Sequence, residues 1–354
     1  MFTENLAHFV HGAALMFFLS LSIRIYPMRM ENRMMRILFF SMVFMTFLEI
    51  KDMVYLVEGI WYDSYASRLC MSLDMVYVPL MAVFLFETLS PGWATPLRSV
   101  LMFAPQVAAG LLFAFTASES VFRFSMLFAV LYGLAVVVTV FLASSRHDNY
   151  IRNNFSYTEG ISARWTRTAS IALFISLFVW TFLLWEDSWL GDAGYYLVSM
   201  LTWAYIGSRS LKYRIIEVPQ TIRLAFAVKE SPEVPQNVNG ASFEKNLKEC
   251  MEGRQIFLNP KLTLQDVAQA VGTNRTYLSD YLNGTLHTTF YEYVNTYRVR
   301  YACRLLSAPD ACKLSLTEVS ERSGFNSMST FNRAFVKVTG KTPTSYLKQS
   351  GRTF

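Results

Sequence analysis

Charge is what this chain has least of. Only 16% of its 354 residues are Asp, Glu, Lys or Arg, where soluble domains carry about 25%. In their place stand 53% hydrophobic and 16% aromatic residues, with a mean hydropathy of +0.27. A deficit of this size excludes an ordinary soluble protein along the whole length, and puts a large part of the chain either deep in a core or in lipid. Cysteine is sparse as well. Cys70, Cys250, Cys303 and Cys312 have neither the spacing of metal ligands nor that of a disulfide framework, so each reads as a small buried hydrophobe. Three of the four fall in the last third, which suits a reducing cytoplasm. There is no Gly-rich phosphate loop, no nucleophile elbow and no pair of histidines in a cytoplasmic segment. The chain therefore reads as a non-enzyme with no cofactor and no metal.

What it has instead is a succession of apolar runs. Seven stretches of about 18–23 residues, the length that crosses ~30 Å of hydrocarbon, lie near 6–24, 37–57, 69–89, 98–117, 121–143, 169–188 and 194–211. The first is not a signal peptide: no Lys or Arg precedes it, Glu4 does, and the basic residues follow it. Connecting segments on one side carry twelve basic residues, among them Arg24, Arg29, Arg33, Arg36, Arg146, Arg152, Arg164 and Arg167; the other side has only Arg68 and Arg123. The positive-inside rule then places the N-terminus outside and the C-terminus in the cytoplasm, as an odd number of spans requires. Trp61, Tyr62, Trp185, Trp189, Tyr195 and Tyr196 would form the outer aromatic belt.

Ionisable groups inside spans are expensive and ask for a partner or a function. His8 and His11 share a helix face, as do Glu49 and Asp52, and Asp74 lies in the third span. All five fall within roughly 3–12 Å of the outer boundary at 1.5 Å per residue, so they can converge on one cavity open to the outside. Lys51 and Arg123 sit at similar depth and can neutralise some of the acids. Two readings stand: interhelical hydrogen bonds and ion pairs that hold the bundle together, or a site for a ligand, ion or proton. Pro79 and Pro105 interrupt two spans.

After Tyr213 the composition changes. Residues 215–241 contain three prolines and turn polar after Lys229, as a tether does; Ile216–Val228 reads as either a short helix or a strand pairing two chains. From Phe243 amphipathic helices return. The balance of charge shifts too, with 17 basic against 17 acidic residues before 241 and 15 against 9 after it, so the whole formal charge of +6 sits on the last third and suggests a partner rich in phosphate. Thr263 is a good N-cap, with Asp266 placed to complete a capping box. Ala268, Gly272 and Leu278 have helix-turn-helix spacing: a small residue where two helices approach, a glycine for the left-handed turn, and an apolar residue that locks the second helix on the first. That leaves Asn274, Arg275, Tyr277, Ser279 and Asp280 facing outward. Beyond "FYEYVNTYRVRYACRLLS", a helix of about 16 residues, Ser320, Gly324, Phe331 and Phe335 repeat the logic with a turn one residue longer, exposing Asn326, Ser327, Ser329, Asn332 and Arg333. A spacer of that length, about 24 Å, can set two recognition helices into successive major-groove segments about 34 Å apart.

On these residues, 243–349 resembles the DNA-binding domain of AraC/XylS-type transcription regulators. "SGFNSMSTFNRAFVKVTGKTPTSYLK" resembles that family's most specific motif, and "TFYEYVNTYRVRYACRLL" its linker helix. The resemblance implies that Asn274, Arg275, Thr276 and Tyr277, and Ser327, Ser329, Thr330 and Arg333, face DNA, while Lys337 and Lys341 touch phosphate. Ser320 departs from the usual Ala, a change a small hydroxyl tolerates. The resemblance does not reach residues 1–240, whose seven spans are similar only in architecture to a membrane-anchored minority of such regulators in bacteria.

The expectation is an all-α protein: a seven-span membrane domain over 1–214, a linker over 215–241, and an AraC-type domain over 242–354 with helix-turn-helix units near 263–283 and 316–338. It would sit in the bacterial inner membrane with the C-terminal domain in the cytoplasm. Its partners would be double-stranded promoter DNA, the lipid bilayer, an unknown ligand, RNA polymerase and a second copy of itself. Two other arrangements fit the same pattern: a transporter or receptor whose C-terminal domain is a regulatory or protein-binding module, and a regulator released by proteolysis between Ser231 and Ala241.

Overall fold

A computed structural model describes residues 2–58, 64–183, 188–216, 240–308 and 314–349. The tether from 217 to 239, together with Trp61, Tyr62, Trp185 and Cys312, lies outside the described residues. Among those described, all regular elements are helical, and the β pairing is a lone antiparallel bridge between Phe155 and Thr263. The chain divides into two compact units, Met1–His147 with Ala163–Leu224, and Asp148–Ser162 with Ala225–Phe354. The units are thus interleaved: a short segment from the middle of the apolar half belongs with the C-terminal third.

The first unit holds α1 (Phe2–Ile25), α2 (Arg33–Glu58), α3 (Ser64–Asp74), α4 (Tyr77–Leu89), α5 (Pro96–Thr116), most of α6 (Glu119–Asn154), α7 (Trp165–Leu183) and α8 (Trp189–Ser210). Over the described residues, all seven expected apolar stretches are helical, the third in two pieces. Among the described residues five are long and apolar enough to cross a membrane: Phe2–Met30, Tyr65–Leu89, Pro96–Thr116, Glu119–Asn154 and Trp165–Leu183. The other two, α2 and α8, are as long but more polar, carrying Glu49, Lys51 and Asp52, or Asp192 and Arg209. Helix α1 packs against both α2 and α8, around a core that includes Phe18, Met34, Leu38, Met42, Phe84, Trp203 and Ile206. The outside carries many large apolar side chains too. Leu97, Val100, Leu101, Leu111 and Leu112 of α5 and Phe124, Leu127, Leu131, Leu134 and Val138 of α6 are all exposed, far beyond the scattered apolar residues of a soluble surface.

The two prolines act differently. Pro79 has no N–H and its ring crowds the carbonyl four residues back, which is Met75, and there the third stretch breaks into α3 and α4. Pro105 sits inside a continuous α5 and interrupts nothing.

The second unit is built on two small cores joined by one helix. Its elements are α9 (Gly240–Lys248), α10 (Leu264–Val271), α11 (Arg275–Asp280), α12 (Phe290–Ser307), α13 (Leu316–Arg322), α14 (Met328–Thr339) and α15 (Pro343–Gln349). Phe290 and Val294 of α12 belong to the core of α9–α11; Val299, Ala302 and Leu306 belong to that of α13–α15. At 18 residues α12 is about 27 Å long. Local chemistry sets the boundaries. Thr263 caps α10 in a reciprocal box with Asp266, and Ser315 caps α13 in the same way with Glu318. Hydrogen bonds from Ser315 hold the Glu318 carboxyl below its usual range. Thr263→Ala is expected to destabilise the unit by about 1 kcal/mol, seen as faster amide exchange in α10; unchanged exchange would deny the cap its role.

Candidate functional site

Both helix-turn-helix units form. In the first, Ala268 and Leu278 are fully buried and Gly272 adopts the left-handed conformation at φ +81°. In the second, Ser320 takes the small-residue position at 2% exposure, Gly324 turns at φ +80°, and Phe331 and Phe335 are fully buried. From the left-handed glycine to the next N-cap is two positions in the first unit (Asn274) and three in the second (Ser327), which is the extra turn residue seen in the sequence.

The expected DNA-facing side chains divide into three groups. Arg275 and Ser329 are exposed in the first turns of α11 and α14 and Arg333 is exposed one turn further along α14, while Thr276 and Ser279 are half-buried. Asn274 and Ser327 spend their side chains as N-caps, accepting from the Tyr277 and Thr330 amides. The Tyr277 ring packs edge-on against Phe243, centroids 4.9 Å apart, so it also braces α9. The third group is engaged elsewhere. Asn326 donates to the Pro260 carbonyl at 2.7 Å, and Lys337 lies 2.6 Å from Glu292. Thr330, expected on the surface, is only 2% exposed: it and Ser327 both donate to the carboxylate of Glu159.

Glu159 comes from the segment between α6 and α7, which sequence reasoning treated as a connecting loop. A second residue missed by that reasoning, Arg298, fixes the segment in place. Its Nε donates to the Phe257 carbonyl at 2.8 Å and its Nη2 to the Asn259 carbonyl at 2.8 Å. Nη1 donates to the Ser156 carbonyl at 3.0 Å, and Nη2 also to Ser156 Oγ at 2.9 Å. Burial lowers the guanidinium pKa to about 10, so it stays charged at neutral pH. The Ser156 amide adds a bond to the Leu262 carbonyl at 3.1 Å. Nearby, burial and the Glu159 charge push the Tyr291 hydroxyl pKa up.

In the first unit, His8, His11, Glu49, Asp52 and Asp74 all line one cavity of about 780 Å³, with Tyr77, Tyr195, Tyr196 and Trp203 among its walls. They also pair across helices. His11 Nε2 lies 3.0 Å from Glu49 Oε2, its ring stacked on Tyr196 at 4.6 Å, and His8 tilts against Trp189. Lys51 Nζ sits 2.8 Å from Asp52 and 2.7 Å from Asp74. Arg123 does not join them: it pairs with Glu119 one turn away, and Glu119 also pairs with Arg68. The two readings of these groups are therefore not exclusive, since the ion pairs that hold the helices also wall the cavity. Among the described residues no cluster has a metal-binding arrangement.

Residues 267–349 match the family model described as a helix-turn-helix domain. The C-terminal unit carries a helix-turn-helix DNA-binding domain of the AraC type. The chain is 33% identical over 122 residues to YdeC, an uncharacterised HTH-type transcriptional regulator of Bacillus subtilis, covering 32% of this chain and 41% of that one. It is 30% identical over 88 residues to the Msm operon regulatory protein of Streptococcus mutans, covering 25% and 31%. The chain thus spans less than half the length of these curated relatives. A solved structure, the C-terminal domain of AraT, a response regulator from Geobacillus stearothermophilus, matches 32% of this chain and 87% of its own at 25% identity and a TM-score of 0.27.

Proposed function

We propose that the protein is a membrane-embedded, one-component transcription regulator. Its seven helices span the bacterial inner membrane with the N-terminus outside, the cavity of the first unit receives an extracytoplasmic or membrane-borne signal, and the C-terminal domain binds promoter DNA in the cytoplasm, acting on RNA polymerase as a dimer. The observation that carries this reading is the union, on one chain, of helices that expose continuous Leu, Val and Phe surface with a two-part helix-turn-helix domain presenting Arg275 and Arg333. The twelve basic residues in the connecting segments of one side, against two on the other, support the orientation. A signal changes DNA binding only by binding two arrangements unequally, and pairing two chains raises DNA affinity through effective concentration.

Arg275→Ala and Arg333→Ala are each expected to weaken binding to the target promoter by roughly tenfold or more, as the loss of a base contact does. Sites are found by genome-wide mapping of bound DNA and the effect is read with a promoter reporter. Unchanged transcription in both variants would remove the DNA-reading role.

A further inference from the structure

We propose that Asp148–Ser162 is an intramolecular brake, holding Glu159 where a DNA phosphate has to sit and so keeping the second recognition helix from duplex DNA. The proposal rests on the reading of α14 as a DNA-facing helix.

Three observations carry it. The first is where Glu159 binds. Its carboxylate accepts from the hydroxyls of Ser327 and Thr330 in the first turn of α14, the end of a helix that favours an anion because its amides and dipole point outward. A carboxylate there satisfies the same donors a phosphate oxygen would, and the two cannot occupy the place together. The same edge of the unit ties up Lys337, whose partner Glu292 also lies 3.6 Å from Arg152, at the end of α6.

The second is how the segment is attached. Neither hydrophobic core of the unit contains a residue from 148–162. Attachment runs instead through Ser156, held by Arg298 and the Leu262 carbonyl, through Glu159, through the bridge from Phe155 to Thr263, and through Arg152, which pairs with Glu292 and lies over the Tyr291 ring. If the segment leaves, Arg298 keeps its bonds to the Phe257 and Asn259 carbonyls, and both cores persist. The bonds at Ser156 and Glu159 are polar, and breaking them leaves both cores of the unit in place, as a reversible switch requires.

The third is what the segment is joined to. It runs directly into α7, and Leu173, Ser176, Leu177 and Trp180 of that helix line the cavity of the first unit. A ligand that displaces α7 therefore pulls on the brake through the backbone, without any further partner.

The test uses full-length protein in lipid nanodiscs and a fluorescent pool of random-sequence duplexes four helical turns long, about 40 base pairs, because phosphate contacts dominate such binding. Glu159→Ala is expected to raise affinity at least tenfold, equivalent to about 1.4 kcal/mol, and adding Arg333→Ala is expected to cancel the gain. In the unmodified protein, duplex DNA is expected to speed amide exchange in 155–162, since brake and DNA exclude each other reciprocally. If Glu159→Ala binds no tighter than the unmodified protein, or if 155–162 stays protected with DNA bound, the brake is overturned while the DNA-facing reading stands. Absence of duplex binding by both proteins overturns the two together.

Discussion

Arg298→Leu is expected to destabilise the C-terminal unit by about 3 kcal/mol or more. Leucine fills the space but supplies no donor, leaving the carbonyls of Phe257, Asn259 and Ser156 facing a buried apolar group. Each buried acceptor left unsatisfied costs about 1–3 kcal/mol, and relief from burying the guanidinium charge offsets only part of that sum. Lysine is expected to fall between the two, because one ammonium on a flexible stem does not reproduce a planar fork that reaches three carbonyls at once. For a unit of this size the loss corresponds to a drop in melting temperature on the order of 10 °C or more. All seven tryptophans stand at or before Trp203 in the sequence, with none in 148–162 or after 224, so their fluorescence is blind to this change. Amide exchange in α10 and α12 is the measurement that isolates it. Protection equal to the unmodified protein would show that Arg298 holds nothing together.

Gly324→Ala is the second large effect, and Gly272→Ala its internal control. Both glycines have φ near +80°, where a Cβ costs roughly 1–2 kcal/mol. They differ in their surroundings. A Cβ on Gly272 meets nothing within 4 Å, whereas one on Gly324 would lie 2.8 Å from the Leu258 carbonyl oxygen and 2.9 Å from that of Phe257. These are backbone atoms that cannot swing away, and the Phe257 carbonyl is already held by Arg298. Alanine at 272 is therefore expected to cost about 1 kcal/mol and alanine at 324 about twice that or more. Combined with Arg298→Leu the effects are expected to be less than additive, since both disturb the same carbonyl. Equal losses at the two glycines would mean that backbone conformation alone sets the cost.

Much of this was legible because it is local. The Thr263 box, the left-handed Gly272 and Gly324, and the buried Phe331 and Phe335 are short-range patterns whose physics is complete within a few residues. The box at Ser315–Glu318 was written just as plainly. Arg298 was readable in principle: it falls between Val294 and Ala302 at four-residue spacing, a charge on the buried stripe of an otherwise amphipathic helix. The break at Met75 followed from Pro79, four positions on. What no local rule gives is the pairing of Glu159 with Ser327 and Thr330, 168 and 171 residues away. No periodicity announces a polar contact between a loop and a distant helix, so Thr330 read as exposed while the structure covers it. The convergence of His8, His11, Glu49, Asp52 and Asp74 lay between these extremes, since depth along each span was countable but the neighbours of each helix were not.

Interleaving also bears on release by proteolysis. A single cut within 217–239 separates the polypeptide into two pieces, yet the upstream piece keeps Ser156 and Glu159, and the downstream piece keeps Arg298, Ser327 and Thr330. Severed, the chain becomes a complementing fragment pair, and the cut domain leaves only as fast as that complex dissociates.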